Sequence, residues 1–244
     1  MALLEVRGLV KSFGGLRAVD GASFAVDAGT ITAVIGPNGA GKTTVFNIIS
    51  GILRPEAGTV GFDGEDVTGL RPHQITRRGI SRTFQVTREL ADMTVLENLV
   101  VHAPARGVRA VLGRSILRQE RDRAMELLDF VGIAQLADAE AKKLSYGQRK
   151  LLELAAALMA EPRLIMLDEP AGGVNPALLE QIVARIRDMN AQGVTFLLVE
   201  HNMDLVMGLS ESVVVMAHGD VLMQGAPDAV QLDDTVLDAY LGMA

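Results

Sequence analysis

Short apolar runs, broken by glycine and aspartate turns, open the chain. Leu3 to Val10, Ala22 to Val26 and Thr59 to Phe62 run apolar or alternate, and Asp63-Gly64 and Thr68-Gly69 are turn dipeptides. That pattern predicts short strands. The β-branched run Ile31-Thr32-Ala33-Val34-Ile35, ending at Gly36, predicts a buried strand. From Val95 to Ala160 the pattern reads as helical. Leu117 to Val131 sets Met125, Leu127, Leu128 and Val131 among charges, and Tyr146 to Met159 is rich in Ala and Leu. Strands return at Leu164 to Leu167, Thr195 to Val199 and Val213 to Met216, with a helix expected over Pro176 to Met189. Such alternation predicts an α/β fold, a mostly parallel sheet with helices on both faces.

Composition narrows the class. With 244 residues the chain suits one large domain, or one domain carrying an insertion. Hydrophobic residues make up 49% and charged residues 22%, ordinary globular usage that excludes disordered and collagen-like chains. Cysteine is absent, which excludes a disulfide framework, a thiolate nucleophile and a Cys-ligated metal, and fits a reducing compartment. No apolar run approaches the roughly 20 residues of a spanning helix, and Glu5 and Arg7 interrupt any signal-peptide core. The expectation is a soluble, cytoplasmic protein unless a partner holds it at a membrane. A net charge of −7 argues against nucleic acid as a partner. Charge is uneven, however: eleven arginines face five acids between Arg71 and Arg123. This basic segment is either a solvated helical face or a surface with its own role.

Candidate chemistry starts at Gly36-Pro37-Asn38-Gly39-Ala40-Gly41-Lys42-Thr43, which fits G-x-x-x-x-G-K-[ST] between a predicted strand and a predicted helix. Glycines let the backbone close around an anion, successive amides point inward, and the following helix offers its positive end. Lys42 would supply a point charge to the β- and γ-phosphates and the Thr43 hydroxyl a ligand to Mg2+, with Thr44 next in register. A carboxylate for the metal must come from elsewhere. The apolar run Leu164-Ile165-Met166-Leu167 ends in Asp168-Glu169. Strand alternation would send the two acids to different sides, one toward the metal and one toward an attacking water.

Three further motifs complete an order. Gln85 sits in Arg82-Thr83-Phe84-Gln85, Leu144-Ser145-Tyr146-Gly147-Gln148 precedes the acidic strand, and His201 follows the strand ending at Glu200. Cradle, glutamine, signature, acidic pair and histidine in this sequence resemble the ATP-binding cassette ATPases, and the resemblance covers nearly the whole chain. It implies a P-loop NTPase (RecA-like) core with an N-terminal antiparallel β-subdomain, residues 1–88 and 160–244, and an inserted α-helical signature subdomain over 89–159, within one cassette domain.

The resemblance also implies roles. Phe13 would stack on adenine, where Phe can replace the commoner Tyr because stacking needs only a π-face. Residues Gly36 to Thr44 would hold ATP, and Thr43, Gln85 and Asp168 would surround Mg2+. Glu169 would be the general base, Lys42, Gln85 and His201 would attend the γ-phosphate, and Ser145, Gly147 and Gln148 would close over the ATP of a second ATPase subunit arranged head to tail. Tyr146 stands where the signature usually has glycine, and Asn175 where aspartate is common. With Phe13-Gly14-Gly15-Leu16, Arg82-Thr83-Phe84-Gln85, Met93 to Leu99 and Ala239-Tyr240-Leu241-Gly242, they resemble the ATPase subunits of bacterial branched-chain amino-acid importers. Implied partners are transmembrane permease subunits, a second ATPase, homo- or heterodimeric, and indirectly a periplasmic solute-binding protein, at the cytoplasmic face of the inner membrane. Urea or amide import, lipopolysaccharide export, and a soluble non-transport cassette ATPase stay open as alternatives.

Overall fold

Strand β3 (Ile31–Ile35) is buried at every position. A strand covered on both faces needs mostly apolar side chains, and it sits at the centre of a sheet. The computed structural model, which describes residues 1–83, 90–104 and 116–241, places it there. Six strands form one sheet in the order β10 (Asp220–Gly225), β9 (Ser212–Ala217), β3, β8 (Thr195–Val199), β7 (Leu164–Asp168) and β6 (Ile80–Arg82). Pairings from β9 through β6 are parallel and only β10 runs against its neighbour. An antiparallel sheet is built from β1 (Ala2–Phe13), β2 (Leu16–Asp27), β4 (Ala57–Phe62) and β5 (Glu65–Asp66), in the order β2-β1-β4-β5.

Strand alternation sorts the core into two. Ala33, Ile35, Ile165, Leu167, Phe196 and Leu198 join a cluster with helices α5 (Tyr146–Met159), α6 (Pro176–Ala191) and α7 (Met203–Leu209). Val34, Leu164, Met166, Leu197 and Val199 face the opposite way, onto α1 (Lys42–Ile49) and the antiparallel sheet. Helix α1 therefore lies between the two sheets, with Val45, Phe46, Ile48 and Ile49 buried. Small helices α2 (Pro72–Arg77), α8 (Pro227–Gln231) and α9 (Asp234–Leu241) complete this part.

The segment expected to be helical from Val95 to Ala160 is broken. Helices α3 (Val95–Val100) and α4 (Arg118–Phe130) are followed by two single 3₁₀ turns and then α5. Thr94 caps the start of the segment by accepting from the Glu97 amide, and the breaks have local causes: Gly132 takes a positive φ after α4, and Ser145 caps α5. Strands β1 and β2 extend beyond their apolar centres, and β6 is only three residues long, too short for periodicity to reveal. No described helix is long and apolar enough to cross a membrane.

Topology delivers three described loops to one edge. Parallel strands end together, and the carboxyl ends of β3, β7 and β8 carry the cradle, the acidic pair and the histidine. Because α1 holds the cradle against both sheets, Phe46→Ala should destabilise the fold by about 3–5 kcal/mol, read as a lower midpoint in urea unfolding.

Candidate active site

Helix α1 begins with an unusual cap. Its N-cap is Gly41, at φ 98°, and no side chain caps it, nor does an acid sit in its first turn. Helices α3, α5, α6 and α7 each carry a Thr, Ser or Asn cap, and α4 and α8 start on Leu117 and Ala226 without a side-chain cap; α1 differs from all of these in starting on a left-handed glycine. The opening amides of α1 thus face the cradle without a side-chain acceptor, the arrangement that suits an anion. Only glycine fits at position 41, since a Cβ there would come within 2.5 Å of the Ala18 carbonyl oxygen. Asn38, Gly39 and Thr43 lie exposed around the loop, Pro37 and Thr44 half-buried, and Ala40 buried.

Lys42 is buried at the loop's centre. Its ammonium donates to the carbonyls of Gly36 at 2.6 Å and Pro37 at 2.9 Å. Burial holds its pKa below the ordinary lysine value, opposed by the negative charges of Glu169 and Asp168. The acidic pair therefore shares an electrostatic neighbourhood with the cradle.

Asp168 points to the α1 side of the sheet, as the alternation of β7 requires, and is buried. Arg82, from β6, meets it: Nη2 lies 2.9 Å from Oδ2, while Nη1 donates to Asn47 Oδ1 at 2.7 Å and Ser50 Oγ at 2.9 Å. Its guanidinium also stands 5.7 Å from the Phe46 ring centroid. Arg82 thus clamps β6, α1 and β7 together. It departs from the solvated arginine face, whereas Arg71, Arg77, Arg118, Arg121 and Arg123 do lie exposed.

The direction of Glu169 is set by a turn. The strand stops at Asp168, and Glu169 adopts φ 50°, a left-handed conformation that costs a non-glycine residue free energy and recurs at functional sites. Two backbone bonds hold it, from the Glu169 amide to the Val199 carbonyl and from the Gly172 amide to the Glu169 carbonyl, both 2.9 Å. His201 Nε2 lies 2.8 Å from Glu169 Oε1. An ionised carboxylate only accepts, so that contact places the imidazole proton on Nε2. Beneath them Glu200 is buried and accepts from the amides of Ala171, His201 and Asn202, fixing the loops after β7 and β8 to each other.

Of the residues expected from sequence, the cradle, Asp168, Glu169 and His201 come together. Phe13 sits at the end of β1, 47% exposed, with the Lys11 ammonium 5.7 Å from its ring centroid. Gln85 lies outside the described residues. Ser145 and Gln148 close a reciprocal box, the Ser145 amide donating to Gln148 Oε1 at 2.9 Å and the Gln148 amide to Ser145 Oγ at 3.3 Å. Gly147 follows Tyr146 in the first turn of α5. Sequence reasoning missed Arg82 and Glu200. A charged residue ending a short strand, or one adjoining the histidine, was the available signal. Asn175 caps α6 by accepting from the Leu178 amide at 2.9 Å, a task asparagine does as well as aspartate.

A parallel sheet with a glycine cradle after one strand and an acidic pair two strands away defines a P-loop ATPase cassette. A model described as ABC transporter matches residues 19–172. A probable branched-chain amino acid transport ATP-binding protein, LivG, of Archaeoglobus fulgidus is 42% identical over 99% of this chain and 96% of its own length. The high-affinity branched-chain amino acid transport ATP-binding protein BraF of Pseudomonas aeruginosa is 41% identical over 99% and 98%. Among solved structures, a nucleotide-free ATP-binding cassette from an ABC transporter superposes with TM-score 0.88 at 36% identity, over 98% of this chain and 99% of that one. A cassette solved in its ADP conformation gives the same score and identity, over 99% of each chain. The chain belongs to the ABC transporter family and is an ATP-binding, ATP-hydrolysing transporter subunit.

Removing one partner of the Arg82–Asp168 pair would leave a buried charge uncompensated. Arg82→Met should cost about 3–5 kcal/mol of stability. In denaturant titrations, the double variant with Asp168→Asn should cost less than the sum of the two single variants.

Proposed function

We propose that this chain powers a bacterial importer of branched-chain amino acids, hydrolysing Mg2+-bound ATP in a head-to-tail pair of cassettes docked on transmembrane permease subunits. The observation that carries the mechanism is the convergence of uncapped helix amides, a buried ammonium and an acidic pair at one sheet edge. The solute class rests on full-length likeness to relatives named for branched-chain amino acid transport. A periplasmic binding protein would deliver the solute to the permease, and the chain would sit peripherally on the cytoplasmic membrane face. Residues 89–159 would form the helical signature subdomain, and 1–88 with 160–244 the core.

The donor set fits a magnesium nucleotide. Among the described residues no cluster of three or more His, Asp or Glu side chains could hold a metal alone. A hard cation with few protein ligands is held by one or two carboxylates plus phosphate oxygens. The Thr43 hydroxyl and Asp168, with Gln85, would hold Mg2+, which when bound offsets phosphate charge during transfer. Amides from Gly39 to Thr44 bind phosphate oxygens, and the Lys42 ammonium turns from the Gly36 and Pro37 carbonyls toward the β- and γ-phosphates. Phe13 offers its exposed ring to adenine.

Glu169 accepts the proton of the attacking water as its oxygen forms a bond to the γ-phosphorus and the bond to the leaving oxygen of ADP breaks. His201, donating to Oε1, keeps that carboxylate from rotating away and stands ready to contact the γ-phosphate. Ser145 uses an acceptor lone pair on the Gln148 amide, so its hydrogen remains for the partner copy's nucleotide. The amino end of α5 adds its positive pole there, along with Gly147 and Gln148.

Four outcomes are expected. In the assembled transporter Glu169→Gln should keep nucleotide binding and lower kcat about 10²- to 10⁴-fold, whereas Lys42→Ala should weaken nucleotide binding about 10- to 100-fold by calorimetry. Turnover at the parent rate in Glu169→Gln would remove the base assignment. Reconstituted with its permease and binding protein, the complex should show ATP turnover stimulated by leucine, isoleucine or valine; stimulation by urea or short amides alone would overturn the solute assignment. Reversing the exposed charges of Arg71, Arg77 and Arg121 should reduce membrane recovery of the complex, and unchanged recovery would reject a docking role for the basic segment.

A further inference from the structure

Tyr146 opens α5 in place of the glycine usual in this motif, and its side chain leaves its own helix. The hydroxyl donates to the Gly172 carbonyl at 2.8 Å. Its ring lies against Gly173, where an added Cβ would come within 3.3 Å of Oη and 3.4 Å of Cε1. The next signature residue packs near the helix that follows this loop, since a Cβ added at Gly147 would stand 2.6 Å from Leu178 Cδ2 in the first turn of α6. On its open side the ring has the Lys150 ammonium 5.8 Å from its centroid.

Gly172 is the hinge of this arrangement. Its amide donates to the Glu169 carbonyl at 2.9 Å, and its carbonyl accepts from Tyr146. One residue therefore stands between the phenol and the strained turn that aims Glu169. Elsewhere the loop is held at Ala171, by Glu200 Oε1 at 2.7 Å.

We propose that Tyr146 is a positioning residue. It ties this chain's signature turn to the loop that carries its own base, so a displacement of the signature moves Glu169. The inference rests on the proposed roles of Glu169 and of the signature. Under those roles the signature meets the partner copy's nucleotide while Glu169 serves this chain's own, and the phenol–carbonyl bond joins the two within one polypeptide. A glycine at 146 would leave the Gly172 carbonyl without this donor. Phenylalanine would keep the ring over Gly173 and lose only the bond.

The test compares Tyr146→Phe and Tyr146→Gly in the full chain and in the assembled transporter. Hydrogen exchange of the full chain should quicken across residues 169–175 in both variants, while residues 36–49 keep the parent's protection. ATP affinity should stay at the parent value, because the phenol is bonded to Gly172 and not to the cradle. In the transporter, kcat should fall about 3- to 10-fold in Tyr146→Phe, the scale of one hydrogen bond, and further in Tyr146→Gly, with KM within about twofold. If Tyr146→Phe keeps the parent's kcat and exchange pattern while Glu169→Gln shows its expected loss of turnover, the coupling is refuted and the functional reading stands. If ATP affinity falls in Tyr146→Phe, the phenol belongs to nucleotide binding and the proposal is overturned. Parent-rate turnover in Glu169→Gln would instead refute the functional reading. Should Tyr146→Gly fail to fold, the Phe variant decides alone.

Discussion

A helix that starts on a glycine, with no side chain to receive its first amides, organises this molecule. Those donors need an acceptor that the polypeptide does not provide. Holding them in place requires α1 to be immobile, and it is wedged by Val45, Phe46, Ile48 and Ile49 between two sheets. The buried Lys42 adds a second demand, a cation desolvated in advance with two carboxylates nearby. A polyanion would satisfy both demands at once.

Around that centre, control is exercised from a distance. Glu169 is aimed by a left-handed turn, the turn is pinned by β8 and by Gly172, and the loop beyond is pinned by Glu200. No single contact fixes the carboxylate. Each carries a hydrogen bond's modest net free energy, and their joint geometry is what a base needs to meet a water at the correct angle. The proposed reaction therefore depends as much on loop backbone as on side chains.

Much of this could be read in the amino-acid order. The cradle, the acidic strand and the buried β3 and β8 follow from local chemistry, because glycine, lysine and β-branched runs constrain their own backbones. Helix α5 was legible from its richness in Ala and Leu. Arg82 was not: it lies among arginines that are mostly exposed, and its burial arises from α1 and β7, which meet it only after folding. Neither was the contact of Tyr146 with Gly172, which joins positions 26 residues apart through a loop with no periodic signal. Strand β6 is too short to advertise itself. The helical stretch from Val95 to Ala160 showed its composition but hid its breaks, which depend on caps rather than on hydrophobic spacing.

The Arg82–Asp168 pair has an implication for loading. One oxygen of the buried carboxylate is already committed to a guanidinium. Under the proposed assignment of Asp168 to Mg2+, the ion would meet an anion already partly neutralised, and phosphate oxygens arriving with it would have to supply much of its coordination.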